Sequence, residues 1–331
     1  MRCLRFQGQR KSSEMDERER GDWMRFRINK NDIALLTDLA VYRVLTITQL
    51  TAVCFSSRQV ARRRLRMLAD EKLVVVNQHG FGRERGRPEI LVFLSEEGAR
   101  LLHEKGVLDS STQRNRISVE DIRCLDHQLL MNWFRIHLAK MQEVLPRLTV
   151  RFPSPTSPFR GQGPEDPWVV HDNAQVSGSD EERSDFMPDG AFSITDSEQK
   201  KSVLFFLEVD MGTETLVSQQ HAPTDIRQKI LNYQAYFRSG NYKLYERILE
   251  ATFNGFRLLF LANSPSRFRS ICHLVQETPP SDFIWVTDEA RMFSQGLADR
   301  IWARGGRCDD PPESIAGRKM CQPSPMLPVK E

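Results

Sequence analysis

The sequence predicts a mixed α/β (α+β) chain with two folded units, a small helical one closed by a β-hairpin and a larger one in which helices alternate with strands. Three observations carry this. Residues 32–70 repeat a helical apolar spacing three times, and two short β-rich runs with glycines between them follow. Residues 117–286 then alternate helical patterns with strand-sized apolar runs. The longest such runs, 203–207 and 258–262, fall far short of the ~18 residues that a membrane span needs. A length of 331 residues suits two domains at about 150 residues each. With 40% hydrophobic and 27% charged residues the composition is globular, which excludes a fibre or a chain disordered throughout.

Residues 1–30 are polar and without periodicity, so a disordered arm is expected there. Glu14, Asp16, Glu17 and Glu19 interrupt its arginines and no apolar core follows, which is unlike a secretory signal. The six cysteines are scattered, which reads as reduced thiols in a cytoplasmic protein rather than a disulfide scaffold or a cysteine zinc site.

The first unit, 31–110, opens with a helix over 32–42 that turns Ile33, Leu35, Leu36 and Leu39 inward. A second short helix occupies 46–55, with Thr46 or Thr48 as its cap, and a third runs over 58–70. Strands at 73–78 and 90–94 flank a tip rich in glycine, and Ser95 opens a last helix at 99–104. Three helices and a hairpin make a winged helix-turn-helix. Arg58, Arg62, Arg63, Arg64 and Arg66 lie on its third helix, and the hairpin tip adds Arg83, Arg85 and Arg87. In such a scaffold the third helix enters the major groove of double-stranded DNA, where arginines meet phosphates and guanine edges. Ser57 and Gln59 at the helix start are the uncharged candidates for DNA contact. The competing reading is a solvated basic surface or a protein-binding winged helix.

The second unit, 117–295, begins with a long helix at 117–145 and a strand at 148–152. A loop insertion at 153–184, rich in proline and then acidic, separates these from strands at 187–195 and 202–210. A helix at 225–238, a strand at 256–262, a helix at 266–275 and a strand at 283–286 complete it. The order αβββαβ is the core order of the restriction-endonuclease-like, or PD-(D/E)XK, fold. Pro188-Asp189 opens one strand, and Glu208-Val209-Asp210 closes the next with both acids on one face. Three carboxylates at one sheet edge suit a hard cation such as magnesium, and Glu214 could add a ligand. The nuclease pattern places Lys two residues after the acid, where this chain has Asp210; Lys229 on the following helix can reach the same space. Asp189, Glu208, Asp210 and Lys229 are therefore the catalytic candidates, set against a degenerate nuclease scaffold. His127 with Asn132, and His221, are weaker candidates. The aromatic run Tyr233, Tyr236, Phe237, Tyr242 and Tyr245 reads as helical core packing. Residues 304–331, with their prolines, read as a disordered tail.

Several stretches resemble the replication-relaxation family of plasmid and mobile-element proteins. They are Val44-Leu45-Thr46 with Gln49-Leu50, Ala61 to Leu65, Gly86-Arg87-Pro88, and Phe206 to Glu214 with Lys229 and Tyr233. The resemblance implies a DNA-binding accessory protein that supports replication, relaxation or mobilisation, with relaxase or replication proteins as partners and a homodimer as one possible state. A magnesium-dependent endonuclease and a winged-helix transcriptional repressor are the alternatives.

Overall fold

The computed structural model describes residues 27–78, 90–109, 117, 125–153, 170–172, 184–186, 188–217 and 225–317. The arm before residue 27, the hairpin tip, most of the 153–184 insertion, His221 and the chain beyond 317 lie outside the described residues.

Helix α1 (Lys30–Tyr42) starts with a capping box: the Asn29 side chain accepts from Asp32 N, and the Asp32 carboxylate accepts from Asn29 N. Strand β1 (Val44–Thr46) follows, and Thr46 caps α2 (Ile47–Val53) with Gln49 reciprocating. Ser57 caps α3 (Arg58–Asp70) by accepting from Val60 N. Strands β2 (Val74–Gln78) and β3 (Ile90–Leu94) pair antiparallel from Val74↔Leu94 to Gln78↔Ile90, and Ser95 caps α4 (Glu96–Glu104). The short β1 also pairs with β3, so this small sheet runs β1-β3-β2.

The larger unit consists of α5 (Leu125–Val144), β4 (Leu148–Arg151), β5 (Val170–Asp172), β6 (Ser184–Phe186), β7 (Gly190–Asp196), β8 (Lys201–Asp210), α6 (Ile226–Ser239), α7 (Leu244–Leu249), β9 (Phe256–Ala262), α8 (Pro265–Gln276), β10 (Ile284–Asp288), α9 (Glu289–Gln295) and β11 (Ala303–Arg304). Six strands form one mixed sheet in the order β11-β10-β9-β8-β7-β4. Its central pairs β8–β9 and β9–β10 are parallel, while the flanking pairs are antiparallel. Within the insertion, β5 and β6 form a separate two-stranded ribbon.

Alternation along the strands divides the sheet between two cores. Leu204, Phe206, Leu258 and Phe260 pack with Ile230, Tyr233, Tyr236 and Tyr245, so the tyrosines of the aromatic run are core as expected, whereas Phe237 is exposed. Phe192, Phe205, Leu207 and Leu259 face the other way, onto Trp133, Phe134 and Leu138 of α5.

That second core does not stop at the unit boundary. It continues through α5 into Leu35, Leu36 and Leu39 of α1 and Leu65 of α3. Polar clamps accompany it. Asn132 Nδ2 donates to the carbonyls of Tyr42 (3.1 Å) and Val44 (2.6 Å), Gln49 Nε2 donates to Leu129 O (2.8 Å), and Arg135 Nη1 donates to Val41 O (3.0 Å). The Arg135 guanidinium also sits 4.5 Å from the centre of the Tyr42 ring and 4.8 Å from that of Phe152, one ring from each unit.

The C-terminal expectation requires correction over 304–317. Trp302 pairs with Glu313, and Ile315 and Ala316 are buried against the α5-side core. Glycines and prolines here shape a strap that fits the core, so their number alone misleads.

Candidate functional site

Two places gather the side chains singled out in the sequence: the surface of α3 and the C-terminal end of β8. On α3, Ala61, Leu65 and Leu68 are buried, which turns Arg58, Gln59, Arg62, Arg63 and Arg66 to solvent. Among the described residues none of these four arginines has an ion-pair partner; Arg58 donates to Thr48 Oγ1 at 3.3 Å. Arg64 differs. It turns back toward α1, where Nε donates to Asp32 Oδ1 at 2.6 Å and Nη2 meets Asp32 Oδ2, and Asp32 itself is buried. The Ser57 hydroxyl is engaged as the helix cap. Arg83, Arg85 and Arg87 lie outside the described residues.

At β8, parity aims Glu208 and Asp210 at the side packed by α6. Glu208 is buried, its Oε1 accepting from Tyr233 OH at 2.6 Å and its Oε2 from Lys229 Nζ at 3.1 Å. Lys229 and Tyr233 stand one turn apart on α6, and Lys229 also donates to Glu214 Oε1 at 2.9 Å. The pairing Gly190↔Leu207 brings Asp189 alongside. Its Oδ2 accepts from Val209 N at 2.7 Å and lies 3.0 Å from His127 Nε2.

These contacts decide the electrostatics. Burial, and then the charge of Asp189, raise the Glu208 pKa to about 7, although Lys229 and the Tyr233 hydroxyl both favour its ionised form. Burial alone would lower the His127 pKa, but its hydrogen bond to Asp189 and the fields of Asp189 and Glu208 raise it. Lys229 is held strongly in its charged form against its own burial by Glu208 and Glu214.

Asp210 has a different partner. Arg267, in the first turn of α8, grips it with two bonds, Nε to Oδ1 at 2.6 Å and Nη2 to Oδ2 at 2.9 Å. The backbone at Gly212, in the left-handed region at φ 74°, lets its N–H return to Asp210 Oδ1 at 2.7 Å. Asp189, Glu208, Glu214 and Lys229 are thus brought together with His127 and Tyr233, while Asp210 is set apart with Arg267. Both oxygens of Glu208 and of Asp210 are already taken by side-chain donors. Among the described residues no three His, Cys, Asp or Glu side chains are grouped to hold a metal ion. As arranged, the donor set does not fit magnesium.

Sequence reasoning missed Arg267, and it weighed His127 without its partner. Asn132 is a buried clamp on two carbonyls rather than a ligand. No helix among the described residues is long and apolar enough to cross a membrane.

Comparison with protein families matches residues 36–250 to the family model described as replication-relaxation. No curated protein and no solved structure matches the chain.

Proposed function

The chain belongs to the replication-relaxation family, with residues 36–250 covered by its model, and on that premise we propose that it is a DNA-binding accessory protein of a plasmid or other mobile element. In this reading the first unit is a winged helix that docks on double-stranded DNA through α3, with the hairpin tip as its wing. The larger unit is a nuclease-like scaffold for positioning DNA or a replication or relaxation partner. One observation carries the reading: α3 sorts its arginines, spending Arg64 on buried Asp32 and leaving Arg58, Arg62, Arg63 and Arg66 exposed without carboxylate partners among the described residues. A row of unpaired guanidiniums at helical spacing is what phosphate neutralisation needs. The scaffold role is favoured because Lys229 and Arg267 occupy Glu208 and Asp210.

A specific observation also keeps an endonuclease reading in play. Asp189, Glu208 and Lys229 adjoin at a strand end, with lysine supplied from α6 in place of the strand position held by Asp210. One experiment separates the two. Supercoiled plasmid is incubated at low salt with wild type and with Glu208→Ala, in magnesium, in manganese and in chelator, and scored for band shift and for nicked product. Equal shifts without nicking are expected. Metal-dependent nicking that Glu208→Ala abolishes would establish the endonuclease instead, and loss of any shift would overturn DNA binding.

A further inference from the structure

At the opposite end of the sheet from Glu208 and Asp210, the first residues of β8, β9 and β10 border a cavity of about 370 Å³, within the usual range for small-ligand sites. Its lining combines two arginines with an aromatic wall, Arg257 and Arg304 with Phe237, Phe283 and Trp285. The Arg257 guanidinium lies 4.2 Å from the centre of the Trp285 ring, and the β10–β11 register sets Arg304 directly opposite Trp285. Arg257 makes no hydrogen bond or ion pair among the described residues. Arg304 Nε is buried without a hydrogen-bond partner, since Asp282 Oδ1 at 3.7 Å is beyond bonding reach. Asp282 lines the same cavity, but its carboxylate is engaged by Arg307 at 2.8 Å.

The positive charge is only partly offset: Arg304 has a loose ion pair with Asp282, which Arg307 shares, and Arg257 has no carboxylate within ion-pair distance among the described residues. Burial, then the neighbouring charge of Arg304, both push the Arg257 pKa down, with Glu313 only partly offsetting them. Two guanidiniums lining one cavity disfavour each other's charge, which an anion bound between them would relieve, and a guanidinium lying over an indole keeps its in-plane N–H donors available to such an anion. The aromatic wall supplies a second, separate signal. Phe237 stacks against Tyr242 and meets Phe283 at a tilt, yet it is the aromatic side chain among the exposed large hydrophobics of the described residues.

We propose that this cavity binds a nucleotide, its phosphate between Arg257 and Arg304 and its base against Phe237 and Phe283. The shared chemistry is a phosphorylated base, which either a free mononucleotide or the 5′ end of a single DNA strand can supply. The site is separate from α3 and does not rest on the duplex-binding reading.

The test uses the full chain and calorimetric titration with five probes: dAMP, deoxyadenosine, inorganic phosphate, and a short single-stranded oligonucleotide with and without a 5′-phosphate. Saturable binding of dAMP or of the phosphorylated strand is expected, with deoxyadenosine and phosphate each weaker by about ten-fold or more. A preference for the phosphorylated strand would identify a strand end as the source, and a preference for dAMP a free nucleotide. Arg257→Gln and the more exposed Arg304→Gln should each cost about ten-fold, with unchanged melting temperature for the latter. The proposal is overturned if no probe saturates, if phosphate binds as tightly as dAMP, or if Arg304→Gln binds as the wild type does.

Discussion

Burying a carboxylate between a tyrosine hydroxyl and a lysine ammonium, as at Glu208, ties the stability of the fold to a proton. The pKa stands at about 7 in the fold against 4.5 for an unperturbed side chain. Between those values the folded state binds more protons than the unfolded one, so this group's contribution is full below pH 4.5 and is lost as the pH rises to about 7. His127 acts in the same direction: its pKa is raised above 6.5, so the stability of its pair with Asp189 is lost as the pH rises through that raised value. Glu208→Gln keeps the shape and removes the first titration. Its urea stability relative to wild type is expected to rise between pH 4.5 and 8, by on the order of 3 kcal/mol. A difference independent of pH would mean that Glu208 is ionised throughout that range. The shared face of Glu208 and Asp210 was legible from the sequence because strand parity is a local rule. The partners were not. Arg267 reaches Asp210 because β9 runs parallel to β8 with Ala262 beside Asp210, so the following helix starts at the same sheet edge. His127 meets Asp189 through an equally non-local packing of α5.

Elements with strong local signals were the most readable. Helix α3 has the bounds expected from its Ser57 cap and its apolar spacing, and β9 spans the expected run. The three-residue β1 is buried throughout, so it shows no alternation to read, and β11 has only two residues. Which arginine of a run turns inward also depended on a neighbour, buried Asp32 on α1. That distinction gives α3 a paired prediction. Arg64→Ala leaves Asp32 without its cation and should cost about 2–3 kcal/mol in urea unfolding. Arg63→Ala should change stability by no more than about 0.5 kcal/mol but lower the slope of log affinity against log salt by about one on any duplex. Reversed outcomes, with Arg63 stabilising and Arg64 setting the salt slope, would overturn the proposed role of the exposed stripe in DNA binding.

At the scale of the molecule, the division into two units that the sequence suggests is a division of pattern, and the core ignores it. Leu35 and Leu36 of α1 belong to the same apolar cluster as Phe134 of α5 and Phe192 and Phe205 of the large sheet. A pattern analysis separates units where periodicity changes, but it does not show that one long helix serves both. Asn132 is the tightest polar element of this junction. It is fully buried, and besides its two bonds to the carbonyls of Tyr42 and Val44 its Oδ1 accepts from Gln128 Nε2 at 3.0 Å. Those carbonyls stand at the end of α1 and the start of β1, so their donor fixes where the first unit sits on α5. Asn132→Ala would strip both of that donor in a dry setting, at a cost of about 2–4 kcal/mol. Hydrogen exchange along a urea series is the appropriate measurement, because it resolves the elements separately. In the wild type, the amides of α1 and β9 should lose protection at a common urea concentration. In Asn132→Ala, α1 should open first while β9 holds. Separate opening already in the wild type would mean that the two units are independently stable, and that the continuous core between them carries little of the cooperativity assigned to it.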